Sequence, residues 1–342
     1  MKTTQSGWTV NPGTAQIHMD RPVLVTGATG FVGGRLIRAL SERKIKSRCI
    51  VRSTAKFRTV CSDQIIADPM EADLLVPETL SRALEGVGTA FYLVHSMGGR
   101  FILENRKFAR QDRLAAGNFV RAAEKAGIER IIYLGGLGEM GQNLSKHLAS
   151  RQEVGRIIES GHVQTIILRA ANVIGAGGAP FEMLRYLVER LPVIVGPRWI
   201  NTRCQPIDVN DAVAYLIGCM GLSETESREF DIGGPEIVTY REMMETYARV
   251  RGLKRVIVSV PFLTPRLSSL FISVLTPVPS GVTNPLLEGL RNEVICRENR
   301  IRELIPLRLT PLEVSICNAL QEVHGGPGKL FSRQSCFLRG QY

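Results

Sequence analysis

Three glycines spaced three residues apart, Gly27, Gly30 and Gly33, follow the short apolar run Val23-Leu24-Val25-Thr26. They open a segment with apolar residues at Val32, Leu36, Ile37 and Leu40. These types and this spacing suit one kind of chemistry, the holding of an anion by backbone. A strand that turns sharply at Gly27, lets a phosphate come close at Gly30 where no side chain stands in the way, and packs its helix tightly at Gly33 is a cradle for the pyrophosphate of a dinucleotide. The helix starting near Phe31 points free amide hydrogens and its positive dipole end at the phosphates, worth roughly 0.3–2 kcal/mol. Gly27, Thr29, Gly30, Phe31, Val32 and Gly33 are therefore the expected wrapping of the cofactor.

The next strand, Ser47-Arg-Cys-Ile-Val51, ends in Arg52. A carboxylate at this place accepts the ribose hydroxyls of NAD, whereas the planar fork of an arginine suits a 2′-phosphate. Arg52 argues for NADP(H), with NAD(H) the alternative. Around it, between Gly33 and Val60, nine basic residues face one acidic residue, Glu42, so +8 of the formal net charge of +11 lies beside the proposed phosphate site. An anionic cofactor accounts for part of that excess. No nucleic-acid-binding motif accompanies it, and no nucleic-acid partner is expected.

The elements that must position these residues alternate between strand and helix. Ile65-Ile-Ala67 and Glu71-Ala-Asp73-Leu74 precede a helix over 77–84, and residues 89–94 form a near-continuous apolar strand of the kind covered on both faces. His95-Ser-Met-Gly-Gly99 follows it, in a loop that should line the crevice. A helix over 105–126, a strand over 130–134, a helix over 150–160 and a strand over 165–168 continue the alternation. Past Gly175 the pattern is less regular: helices over 181–191 and 209–220, an extended piece over 193–200, and a strand and turn over 230–235. Thr239 and Glu242 have the spacing of a capping box for a helix to Gly252. One more strand over 256–260 and a helical region over 285–323 complete the chain. The fold class is α/β, a Rossmann-type doubly wound parallel sheet with helices on both faces and a smaller C-terminal substrate lobe. The expected division is a flexible leader 1–20, a nucleotide-binding domain 21–175, the lobe 176–325 interleaved with the sheet, and a tail 326–342.

Seven scattered cysteines (49, 61, 204, 219, 296, 317, 336) without a CxxC pair indicate neither a disulfide framework nor a metal site, and fit a reducing, cytoplasmic compartment. The first twenty residues lack the apolar centre of a signal peptide. The most apolar region, 256–279, is broken by Pro261, Pro265, Arg266 and Pro277 and is too interrupted to span a bilayer. Within it Leu267, Leu270, Phe271, Val274 and Leu275 share a helical face. That face is either packed on the lobe or forms a lip over a substrate pocket that touches a membrane peripherally.

With the glycine turn, Arg52, Asp73-Leu74, the Phe91-Tyr-Leu-Val-His95 strand and Arg169 to Gly175 in order, residues 21–325 resemble the extended and atypical short-chain dehydrogenase/reductases. The likeness is to their NAD(P)H-binding branch, which includes nitrogen-metabolite-repressor-type and nucleoside-diphosphate-sugar-epimerase-like proteins. The resemblance implies that Asp73 and Leu74 flank the adenine, that Val94 and His95 lie along the ribose, and that Ala171 and Val173 lie near the nicotinamide. The family's usual reductases carry a serine after the fifth strand and a tyrosine with a lysine four residues on. Here Gly135 and Gly136 occupy the serine's place, and none of the seven tyrosines has a lysine at that spacing. The best match is His147 with Arg151. His147 is the candidate proton donor, and Arg151, which cannot act as a base, is the candidate to hold a phosphate or ribose hydroxyl. The resemblance implies an NADPH-dependent reductase of a carbonyl, enone or quinone-like small molecule. The lost serine and tyrosine favour the alternative, a non-catalytic NADPH-binding sensor, assembly or scaffold protein with a protein partner.

Overall fold

The computed structural model describes residues 20–60, 65–95, 102–138, 146–223, 228–260 and 287–323. The leader and tail, and the face from Leu267 to Leu275, lie outside the described residues. The strands are β1 (Val23–Thr26), β2 (Ser47–Val51), β3 (Asp68–Glu71), β4 (Thr89–Tyr92), β5 (Arg130–Gly136), β6 (Gln164–Ala170), β7 (Val173–Ile174), β8 (Val193–Gly196), β9 (Arg203–Cys204), β10 (Ile207–Asp208), β11 (Arg228–Ile232), β12 (Val238–Thr239) and β13 (Val256–Ser259). The helices are α1 (Phe31–Glu42), α2 (Thr54–Val60), α3 (Leu80–Leu84), α4 (Ile102–Lys125), α5 (Lys146–Glu159), α6 (Ala179–Arg190), α7 (Val209–Gly218), α8 (Tyr240–Val250), α9 (Arg300–Leu304) and α10 (Leu312–Val323). Among the described residues no helix is long and apolar enough to cross a membrane.

Seven strands form a parallel sheet in the order β11-β6-β5-β4-β1-β2-β3. From β1 the chain winds outward to β3 and then crosses back to β4, so the order reverses between β1 and β4. A crevice for a ligand opens there, beyond the carboxyl ends of the strands. All four residues of β4 are buried, because helices cover the sheet on both sides. On one side Leu36, Ile37 and Leu40 of α1 pack with Val213 and Leu216 of α7. On the other, Leu80 and Leu84 of α3, Phe119 of α4 and Ile158 of α5 pack together. A third core gathers Phe181 and Leu184 of α6, Met243 and Tyr247 of α8, and Ile316 and Leu320 of α10. The capping box forms as its spacing predicts, with Thr239 and Glu242 bonding each other's backbone at the start of α8.

Three places differ from the sequence expectation, each because a distant partner decides. The third strand falls on Asp68-Pro-Met-Glu71, a composition poor in strand formers, and it is tolerated because β3 is the sheet's edge, where Pro69 leaves no interior ladder bond unmade. Helix α2 starts at Thr54 because Glu71 receives that residue's amide at 2.9 Å and its hydroxyl at 3.3 Å. Of the region expected to be helical over 285–323, the described residues 287–323 are only partly so. Between α9 and α10 the chain meets Pro306 and Pro311, and before α9 it makes a short helical turn over 287–289 and then an irregular stretch with one isolated bridge, Val294 to Cys204. In that irregular stretch the Arg297 amide donates to Asp231 at 2.9 Å, and the Cys296 amide donates to Gln205 at 3.0 Å.

Asp231 is the centre of that attachment. Its buried carboxylate also receives Arg169 at 2.7–2.8 Å, so β6, β11 and the irregular stretch before α9 share one charge. Asp231→Ala should cost about 3 kcal/mol, the usual loss when one partner of a buried pair is removed. Urea denaturation checks this, and an unchanged midpoint would contradict it.

Candidate functional site

The carboxyl ends of β1 and β4 are stitched by one side chain. Thr26 donates its hydroxyl to the Phe91 carbonyl at 3.1 Å and accepts the Leu93 amide at 3.0 Å. The next residue, Gly27, has φ +70°, and a Cβ there would sit 2.9 Å from the Leu93 carbonyl oxygen. At Gly33 a Cβ would collide with the Gly27 carbonyl oxygen. Helix α1 therefore rests directly on the turn it grows from. Its N-cap is Gly30, no side chain caps it, and its first turn carries no acid. The amides of that turn, around Phe31, Val32 and Gly33, present an uncapped helix start suited to an anion. Thr29 is exposed beside them. The Phe31 ring fits against Gly175 and Gly178, where side chains would clash with it, and the Arg35 guanidinium stacks over the ring at 4.7 Å.

Arg52 follows β2 directly and is exposed; since Ile50 pairs with Thr26, it stands level with the glycine turn. Asp73 is occupied locally, its carboxylate receiving the Leu75 amide at 2.9 Å and its own amide donating to Thr79 at 3.0 Å. Leu74 is buried, and its carbonyl accepts from Asn118 at 2.9 Å. Val94 packs on the same core.

A cavity of about 1080 Å³ extends from this turn into the second lobe. One end is bounded by Gly27, Gly30, Phe31, Val32 and Gly33, the middle by His95, Gly136, Arg151 and the run Ala171-Asn172-Val173. The far end is aliphatic and aromatic, with Met183, Leu187, Ile194, Trp199, Met243 and Leu290. Of the sequence-assigned residues, Arg52, Asp73, Leu74 and Val94 do not line this cavity, and Thr29 does not either.

The polar groups at the middle are held from behind. His95 Nδ1 lies 3.3 Å from Asp112 Oδ2, and the two side chains are only 12% and 5% exposed. Burial, and then the positive charge of Arg151, pull the imidazole down from its ordinary 6.5 to about 4, against the opposing pull of Asp112. Tyr133 donates its hydroxyl to the Arg151 carbonyl at 3.0 Å, and Arg151 donates to the Leu134 carbonyl at 3.2 Å. Burial pushes the Tyr133 hydroxyl up to about 12, so it stays protonated. Gly136 lies against Leu148 and Arg151, and a Cβ there would come within 3.1 Å of a Leu148 methyl, so any side chain at this position would need Leu148 to shift. Asn172 donates to the Tyr240 hydroxyl at 3.2 Å. His147 lies on α5 one turn before Arg151; its side chain lies outside the described residues.

Residues 27–175 match the family model described as NAD(P)H-binding. Over 245 residues, 70% of this chain and 73% of that protein, the sequence is 28% identical to a ceramide reductase of Caulobacter vibrioides. It is 23% identical to an NAD(P)H azoreductase of Xenophilus azovorans over 241 residues, 67% of this chain and 74% of the relative. The structure of a Citrobacter sp. triphenylmethane reductase complexed with NADP(H) superposes with a TM-score of 0.66 at 21% identity, over 87% of this chain and 99% of that one. Residues 27–175 form an NAD(P)H-binding domain, and the fold is of the Rossmann type.

In this domain the described residues fit a dinucleotide at the point where the test is physical, an uncapped helix start over a turn that no Cβ could enter. Asp112, Tyr133 and Tyr240 were not assigned from the sequence as site residues. The available signal for Asp112 is its place on the apolar stripe of α4, three, four and seven residues before the buried Ala115, Ala116 and Phe119.

The buried His95 makes stability depend on pH. Its folded value lies below its unfolded one, so the neutral form is favoured in the fold, and the stability it contributes is present above about pH 6.5 and lost as pH falls toward 4. The loss from this group is of order 3 kcal/mol. His95→Gln, which keeps an amide for Asp112, should flatten the stability profile over that interval, and an equally steep profile in the variant would contradict the assignment.

Proposed function

We propose that this NAD(P)H-binding protein is an NADPH-dependent reductase of an apolar carbonyl, enone or quinone-like acceptor. The observation that carries the reading is one continuous cavity, with a glycine turn and uncapped helix start at one end and an aliphatic and aromatic chamber at the other. An acceptor that fills such a chamber is large and apolar, since burial there is favourable by about 25 cal/mol per Å² of apolar surface. The words ceramide, azo and triphenylmethane in the names of the similar reductases point to large apolar molecules of the same description.

On this reading Gly27, Thr29, Gly30, Phe31, Val32 and Gly33 surround the pyrophosphate, Asp73 and Leu74 flank the adenine, and Val94 and His95 lie along the ribose. Ala171 and Val173 border the nicotinamide. Bound NADPH supplies the hydride that reduces the acceptor carbon. The chain supplies the rest: Arg151, anchored to the Leu134 carbonyl, holds a ribose or phosphate oxygen; the aliphatic walls exclude water; and His147, four residues before Arg151 and so on the same face of α5, gives the proton to the acceptor oxygen. Neutral His95, its Nδ1 facing Asp112, orients a hydroxyl by accepting from it.

Purified protein mixed with NADPH and a panel of quinones, enones and long-chain ketones should oxidise the cofactor. Cofactor binding without oxidation by any of them would favour a non-catalytic sensing or assembly role instead. NADPH should bind more tightly than NADH, and Arg52→Ala should narrow the preference by about tenfold or more, the value of one charge-assisted phosphate contact. Equal affinities in the parent protein would remove Arg52 from that role. His147→Ala should lower turnover by about a hundredfold while NADPH binding is nearly unchanged, and full activity in this variant would eliminate His147 as the proton donor.

A further inference from the structure

Strands β8 and β13 pair in parallel outside the main sheet, with Val193 beside Val256 and Val195 beside Val258. Because side chains alternate along a strand, these four valines share one face, and they are 49%, 59%, 47% and 40% exposed in that order. They make up four of the eleven large hydrophobic residues exposed among the described residues. The intervening Ile194 and Ile257 point the other way and pack into the third core. Scattered exposed hydrophobics need no explanation, but a contiguous group marks a contact surface.

Two further observations say what contacts it. The face adjoins the cavity, since Val195, Gly196 and Pro197 also line it. The sequence around both strands is wholly basic in its charges: residues 190–200 and 251–260 hold Arg190, Arg198, Arg251, Lys254 and Arg255 and no acid. Arg251 pairs with Glu189, and Arg255 bonds the last carbonyls of α6; Arg190, which stacks over Tyr186 at 4.7 Å, and Arg198 and Lys254 are exposed at the ends of the strands that carry the valine face. An apolar face with cations at both ends and continuous with an apolar chamber matches a bilayer with anionic headgroups. A second copy of the chain across a two-fold axis would bring like charges together instead.

We propose that the β8–β13 face docks on an anionic phospholipid bilayer and that the apolar acceptor passes from the bilayer into the cavity beside Val195. The acceptor's identity as an apolar molecule rests on the reductase reading; the docking itself does not. A molecule large enough to fill the chamber partitions into lipid, and direct transfer avoids exposing its apolar surface to water.

The test is flotation of the full chain, without acceptor, on vesicles of phosphatidylcholine with and without phosphatidylglycerol. The parent protein should float with the mixed vesicles, less with phosphatidylcholine alone, and less as salt is raised. The triple variant Val193→Ser, Val256→Ser, Val258→Ser should lower the partition coefficient by about tenfold or more, while its NADPH oxidation with a water-soluble quinone is unchanged. A parent that stays in the soluble fraction overturns the proposal, as does a variant that floats equally well. A variant that changes only the oligomeric state overturns it in favour of a second copy. Valine-dependent flotation without cofactor oxidation by any acceptor would support the surface while removing the reductase reading.

Discussion

The structure depends on one close approach, that of helix α1 to the carbonyl of Gly27. With no Cβ at Gly33 the helix sits on the turn, and with φ positive at Gly27 the turn fits under the end of β4. Both conditions are steric and neither tolerates a side chain. From them follow the uncapped first turn of α1, the position of Phe31 and the contact that Phe31 makes with Gly175 and Gly178. The turn at residues 175–178 leads into α6, so the same contact sets how the second lobe meets the sheet. Arg35 adds to it, reaching the Ala176 carbonyl at 2.9 Å.

What the second lobe brings is apolar volume. Helices α6 and α8 pack on each other through Phe181 and Tyr247, and their other faces, with β8 and the residues near Leu290, wall the far half of the cavity. The polar groups of the site come from the sheet side: His95 after β4, Arg151 on α5 and Asn172 after β6. A chamber built this way separates charge recognition from apolar recognition along its length. The His95–Asp112 pair lies at the junction, and its burial keeps the imidazole neutral at physiological pH, so it serves there as a hydrogen-bonding group and not as a cation.

The parts of this arrangement legible in the sequence are those whose causes are local. The glycine spacing, the apolar strand into β4, the Thr239–Glu242 box and the alternation of strand and helix each follow from residues within one turn or strand of each other. The parts that were not legible have distant causes. β3 is a strand because β2 lies beside it, α2 starts where Glu71 reaches Thr54, and the stretch before α9 is irregular and not helical where Asp231 and Gln205 hold its amides. Asp112 illustrates the same limit within the site. A carboxylate on an apolar helix stripe is visible in the sequence, but its partner, His95, is brought to it only by the crossing of α4 over β4. The valine face was hidden for the opposite reason, since alternation along β8 and β13 says that one side is exposed only once the pairing of strands some sixty residues apart is known.

The central claim is that cofactor and apolar acceptor share one chamber and that hydride passes between them. The most direct test uses NADPH carrying deuterium at the transferring carbon of the nicotinamide, with mass spectrometry of the reduced acceptor. For a carbonyl acceptor, a single deuterium on the carbon that bore the oxygen, delivered from one face of the nicotinamide and not the other, is the predicted result. A reduced product without deuterium from either face, or cofactor oxidation without a reduced product, would contradict the account.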